Sequence, residues 1–156
     1  MRHATAHLLL PLALLLSACV SGVSDCNKPG ANASIVDTWV LDKLQGPAPD
    51  GSPKVYTASE IQSAGLSYWT FTRDHRVTAA ADQSGTRATT IGTYTLSKDR
   101  LEITPSAGAP LFGSNKQTFR IQQLCPLYLR FGSESGPATG RQQAEWHLQF
   151  SRTTHH

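Results

Sequence analysis

From residue 35 onward, apolar side chains fall at alternate positions along short runs of the chain. Tyr68-Trp69-Thr70-Phe71-Thr72 places Trp69 and Phe71 on one side. Leu127-Tyr128-Leu129-Arg130-Phe131 and Trp146-His147-Leu148-Gln149-Phe150 repeat the pattern. A period of two is the signature of a strand with one buried face. Ile35 to Leu44 predicts a first strand through Trp39 and Leu41, with a bend before Leu44. A weak strand of small residues is predicted over Val77–Ala81, and further strands over Ile91–Leu96, Leu101–Ile103 and Thr118–Ile121, the last broken by Cys125-Pro126.

The connections are mostly tight. Arg73 to Arg76, Asp82 to Gly85 and Ser97 to Asp99 read as turns. Longer loops are expected over Gln45–Val55, which holds three prolines and two glycines, over Pro105–Asn115 and over Gly132–Arg141. One stretch predicts a helical turn, Thr57 to Gly65. Thr57 caps it with Glu60 three residues on, and Gly65 ends it.

Eight strands joined this way form an antiparallel meander with two bare edges. Such edges invite aggregation unless the sheet closes on itself. The expected fold is therefore all-β, an eight-stranded up-and-down barrel. A two-sheet β-sandwich of the same strands is the alternative. Parity assigns Trp39, Leu41, Trp69, Phe71, Val77, Tyr94, Leu96, Leu101, Ile103, Phe119, Ile121, Leu127, Leu129, Phe131, Trp146, Leu148 and Phe150 to the interior. An eight-stranded interior is just wide enough for its own side chains or one small ligand. The small residues around Ala79, together with Thr89 and Thr93, mark where a cavity or mouth is expected.

These residues resemble a known family. Thr38-Trp39 resembles the Gly-Thr-Trp opening of lipocalin-like domains. Trp69-x-Phe71-x-x-Asp74 resembles the second-strand pattern of the small bacterial lipocalin-like lipoproteins, and Gly92-Thr93-Tyr94-x-Leu96 followed by Leu101-x-Ile103 their central hairpin. The resemblance spans roughly Val36 to Arg152. It implies a barrel able to hold a small apolar molecule, against Trp39, Trp69, Phe71, Ala79, Thr93, Tyr94, Leu129 and Trp146. Two departures stand out. Asp37 replaces the usual Gly, which bears on packing at the barrel bottom. His75 replaces a turn Gly, which places a residue with a Cβ at positive φ.

The N-terminus predicts export. Arg2 precedes an apolar run from Leu8 to Leu16. Nine residues give roughly 14 Å of helix, too short for a hydrocarbon core of about 30 Å, so the run reads as a signal-peptide core. The residues alone allow ordinary cleavage after Ala18. Leu16-Ser17-Ala18-Cys19, however, resembles the lipobox of bacterial lipoproteins. That resemblance implies an acylated Cys19 as the mature N-terminus, anchored in the bilayer. Val20 after the cysteine implies the outer membrane, with the domain facing the periplasm. Residues 1–18 are then signal, 19–34 a flexible tether, 35–152 the barrel and 153–156 a disordered tail.

Removing eighteen of the 156 residues leaves one domain's worth. Loss of Arg2 lowers the formal charge from +3 to +2, which gives no argument for nucleic acid. With Cys19 acylated, Cys26 and Cys125 remain as a pair in an oxidising compartment, and a disulfide is the simplest reading, with two free thiols as the alternative. It would close a loop of about 100 residues, with a chain-entropy limit of roughly 4.7 kcal/mol.

Catalytic groups are sparse. His75 lies in a turn, His147 on an outward strand position, and His155-His156 at the terminus. There is no phosphate loop, HExxH or nucleophile elbow. No metal, cofactor or enzymatic activity is expected. Two functions remain: a periplasmic carrier of a small hydrophobic or amphipathic molecule, or a filled barrel whose loops dock an envelope protein or inhibit an enzyme.

Overall fold

The computed structural model describes residues 33–109, 115–134 and 145–153. Period-two burial produces nine strands: β1 (Asp37–Pro47), β2 (Pro53–Tyr56), β3 (Tyr68–Phe71), β4 (Arg76–Ala80), β5 (Thr89–Ser97), β6 (Arg100–Pro105), β7 (Gln117–Leu124), β8 (Tyr128–Ser133) and β9 (His147–Arg152). Neighbouring strands pair antiparallel from β3 through β9. β1 pairs β3 on one side and β9 on the other, with Trp39 opposite both Trp69 and Arg152. Eight strands thus close a ring, and the sandwich alternative falls. β2 lies outside the ring, where it pairs the far half of β1 from Leu44–Tyr56 to Pro47–Pro53.

β2 corrects the expectation of a featureless loop over Gln45–Val55. Its prolines sit at the start of β2 and the end of β1, where a missing N–H disturbs no central ladder. Three irregularities bend the ring, at Leu41/Lys43, Val77/Thr78 and Ile121/Gln123. Each inserts a residue and resets the inward–outward parity of the strand beyond it. The first is the bend expected before Leu44. It lets Leu41 and Leu44 both point inward. The third does the same for Ile121 and Leu124.

Two segments close the barrel ends. At one end Ile35 is buried ahead of β1, and the Trp39 indole donates to its carbonyl at 2.9 Å. At the other, α1 (Ala58–Ser63) buries Ile61, and the Trp69 indole donates to the Leu66 carbonyl at 2.9 Å. α1 has the expected capping box, with Thr57 accepting from the Glu60 amide and Glu60 from the Thr57 amide. Gly65 at φ 71 ends it, with the Leu66 amide donating to the Ile61 carbonyl.

Two tail assignments also change. Ala33, expected in the tether, packs against the core. Thr153, expected to be disordered, is buried, and its hydroxyl donates to the Thr38 carbonyl at 2.9 Å. The signal segment and the remaining tether and tail lie outside the described residues.

Candidate functional site

The interior is the first candidate. Trp39, Trp69, Phe71, Ala79, Tyr94 and Leu129 are all buried there, as expected. Their neighbours are one another. A chain of rings crosses the barrel. Tyr94 meets Phe71 edge-on at 5.2 Å, Phe71 lies 6.3 Å from Trp69, and Trp69 meets Phe150 at 5.5 Å. Phe150 stacks on Phe131 at 5.4 Å, which meets Phe119 at 5.2 Å. These six rings come from β3, β5, β7, β8 and β9, so they tie opposite walls together. Their polar atoms are satisfied locally. The Tyr94 hydroxyl donates to the Thr72 carbonyl at 2.8 Å, and both buried indoles have carbonyl acceptors. Among the described residues no buried side-chain polar atom lacks a partner that a ligand would satisfy.

Five interior assignments are corrected. Thr93 is exposed: it adjoins inward Tyr94, and adjacent strand residues face opposite sides. Thr89 pairs with buried Ala79 and so shares its inward side, but it is the first residue of β5, at the end of the wall, and is exposed there. Leu96 and Leu127 have inward parity but stand at strand ends, 38% and 56% exposed, where no further layer covers them. Trp146 precedes β9 and is only partly buried. Its indole lies where a Cβ of residue 46 would be, so Gly46 is what admits it. It is a rim residue and not part of the interior layers.

The departures from the lipocalin-like pattern are accommodated. Asp37 pairs with the Arg152 side chain, whose guanidinium lies 5.7 Å from the Trp39 ring centroid. Trp39 remains fully buried beneath it. His75 has φ 63, and its ring lies 5.4 Å from Tyr94.

The outer wall carries a second candidate, a shallow groove of about 170 Å³ over β1, β8 and β9. Lys43, Gln149 and Arg130 form one cross-strand row, with Gln45 and His147 in the next. Gly132 completes that second row, and the His147 ring leans over it. The groove is invisible in the sequence because the pattern gives a strand's outward face but not which outward faces adjoin across β1 and β9.

His75 and His147 stand at opposite ends of the barrel, so they form no base pair. Among the described residues no cluster of three metal-ligating side chains occurs. Cys125 is buried and disulfide-bonded. Its expected partner Cys26 and the expected acylation site Cys19 lie outside the described residues. No protein-family model matches the chain, and no curated protein matches it.

Proposed function

We propose that this chain is a lipocalin-like lipoprotein, held by an acylated Cys19 on the periplasmic side of the outer membrane, that works through its outer surface and loops. In this reading Cys26 and Cys125 are joined, and the barrel is a filled scaffold that docks another envelope component. The observation that carries it is the ring chain from Tyr94 to Phe119. A small apolar guest would have to part at least the Trp69–Phe150 and Phe150–Phe131 pairs, at about 0.5–1.5 kcal/mol each beyond their burial. Room for a drug-sized ligand begins near about 300 Å³. The buried side chains assigned to that ligand, Trp39, Trp69, Phe71, Ala79, Tyr94 and Leu129, instead belong to one packed core.

The carrier reading is the competitor. Native mass spectrometry of protein extracted from its own host separates the two. The filled-scaffold reading expects the mass of the acylated chain alone. A stoichiometric small molecule released on denaturation would restore the carrier. Thiol labelling of unreduced, denatured protein tests the disulfide, and two reactive thiols would reject it.

A further inference from the structure

We propose that one end of the barrel, the end where the chain enters, docks flat on an anionic lipid bilayer. The inference rests on the lipid-anchored reading for the presence of a nearby membrane. The docking face itself is defined by the fold.

Three tight turns make this face: Thr72–Arg76 between β3 and β4, Ser97–Arg100 between β5 and β6, and Leu124–Tyr128 between β7 and β8. The start of β1 and the end of β9 complete it. The chain arrives here, since Ala33 to Val36 lead directly into Asp37. Any anchor before residue 33 is therefore tethered to this side. The Cys26–Cys125 disulfide would shorten the leash further, because Cys125 lies within one of these turns. Seven residue steps lead from Cys19 to Cys26, a reach of at most about 23 Å. An anchor that short holds this face, not the loop end, against the bilayer.

The face is chemically suited to that position. Four large apolar side chains are exposed among the described residues: Val55, Leu96, Leu127 and Tyr128. Three of them lie here. Leu127 is 56% exposed and Tyr128 44%, on a turn fixed by hydrogen bonds from the Cys125 amide to the Tyr128 carbonyl and from the Arg152 amide to the Leu127 carbonyl. A rigid apolar tip of this kind enters the interface without first being ordered. An amphipathic Tyr sits well at headgroup depth.

The charges agree. Asp37, Asp74 and Asp99 are each taken by an arginine, namely Arg152, Arg76 and Arg120. Arg73 and Lys98 remain, exposed at the tips of two turns and in no ion pair among the described residues, although Lys98 also acts on Asp99. The loop end has no such excess, because Arg87, Lys54 and Lys116 stand among its carboxylates. Asp50 there accepts from Ser52, and Asp82 accepts from Ser84 with Arg87 acting on it as well. A bilayer with anionic headgroups attracts the first end more than the second.

The test uses the full chain, purified from its host and reconstituted into vesicles of phosphatidylethanolamine with or without phosphatidylglycerol. Leu127→Trp and Gln83→Trp report on the two ends through quenching by brominated acyl chains. The proposal expects severalfold stronger quenching, relative to the unsubstituted chain, at position 127 than at 83. It also expects the difference to grow with phosphatidylglycerol and to collapse in Arg73→Glu/Lys98→Glu. Equal quenching at both ends, or indifference to the anionic lipid, overturns it. The mass of the purified chain tests the anchor separately. If no acyl group is present, the anchored reading fails, and docking is then read by cosedimentation with anionic vesicles. Each of Arg73→Gln and Lys98→Gln should weaken that partition about fivefold. Unchanged partition would overturn docking as well.

Discussion

The two ends of the barrel solve the same problem with different materials. Each must stop water from reaching a hydrophobic axis, and each does so with a leader segment pinned by an indole. Ile35 is fastened by Trp39 at the entry end, and Leu66 by Trp69 at the loop end. The two tryptophans are cross-strand neighbours, so the pins start from one place and point apart. Beyond that the ends diverge. The entry end is built from short turns, two of which force non-glycine residues to positive φ, His75 at 63 and Lys98 at 56. The loop end carries α1, the β1–β2 extension and the longer connections, together with the rim contact between Gly46 and Trp146. The comparison teaches that closure and variability are separated in this fold. One end is fixed by backbone, and the other by a small helix that can be altered locally.

The sharpest way to break that view is to remove one apolar anchor from each end. Trp39→Ala deletes a fully buried side chain from the ring itself and should cost about 3–5 kcal/mol. Ile61→Ala removes a side chain from a six-residue helix that can resettle, and should cost about 2 kcal/mol, the low end for such a change. Denaturant midpoints at unchanged slope measure both. Equal losses would mean that α1 is as integral as the wall.

Gly46→Ala probes the rim. A Cβ there overlaps the Trp146 indole, so the indole must leave. A destabilisation of about 1–3 kcal/mol is expected, together with a red-shifted tryptophan emission. An unchanged spectrum would show that Trp146 does not rest on Gly46.

Lys98→Gly works in the opposite direction. It relieves a left-handed residue, worth roughly 1–2 kcal/mol, against about 0.5–1 kcal/mol of added chain entropy. The net expectation is a gain of up to about 1 kcal/mol, read as a raised Tm. Because it also removes a cation from the entry face, the same variant should be more stable and dock less well.

The smallest effect is confined to α1. Hydrogen bonds from the Lys54 ammonium at 2.6 Å and from the Thr57 amide and hydroxyl hold the Glu60 carboxyl down to about 2 from its ordinary 4.5. A folded-state pKa below the unfolded one stabilises fully above 4.5. That contribution is lost as pH falls through about 2. The NMR shifts of Glu60 and Lys54 should therefore hold steady through pH 4.5 and move with a midpoint near 2. A Glu60 midpoint near 4.5 would show that the capping box is not formed.

Much of the barrel was legible in the sequence, because burial of one strand face imposes a period that survives any choice of apolar residue. Trp69, Phe71, Leu129, Phe131 and Phe150 follow it and are buried. Parity fails where something other than alternation decides. Bulges bring Leu44, Ile91 and Leu124 inside, and the end of the wall leaves Leu96 and Leu127 outside. β2 was hidden by its prolines, which signal a loop unless the strand is at an edge. The candidate site was less legible. Inward residues can be read from a period, but whether they leave space depends on ring contacts between distant strands, which no local pattern encodes.

The central claim is that the interior is occupied by its own side chains. Titration with cis-parinaric acid, a fluorescent apolar probe, tests it most directly by energy transfer from tryptophan. A filled barrel predicts only weak, non-saturable transfer that Phe150→Ala converts into saturable binding. Saturable one-to-one transfer in the unsubstituted protein would contradict it.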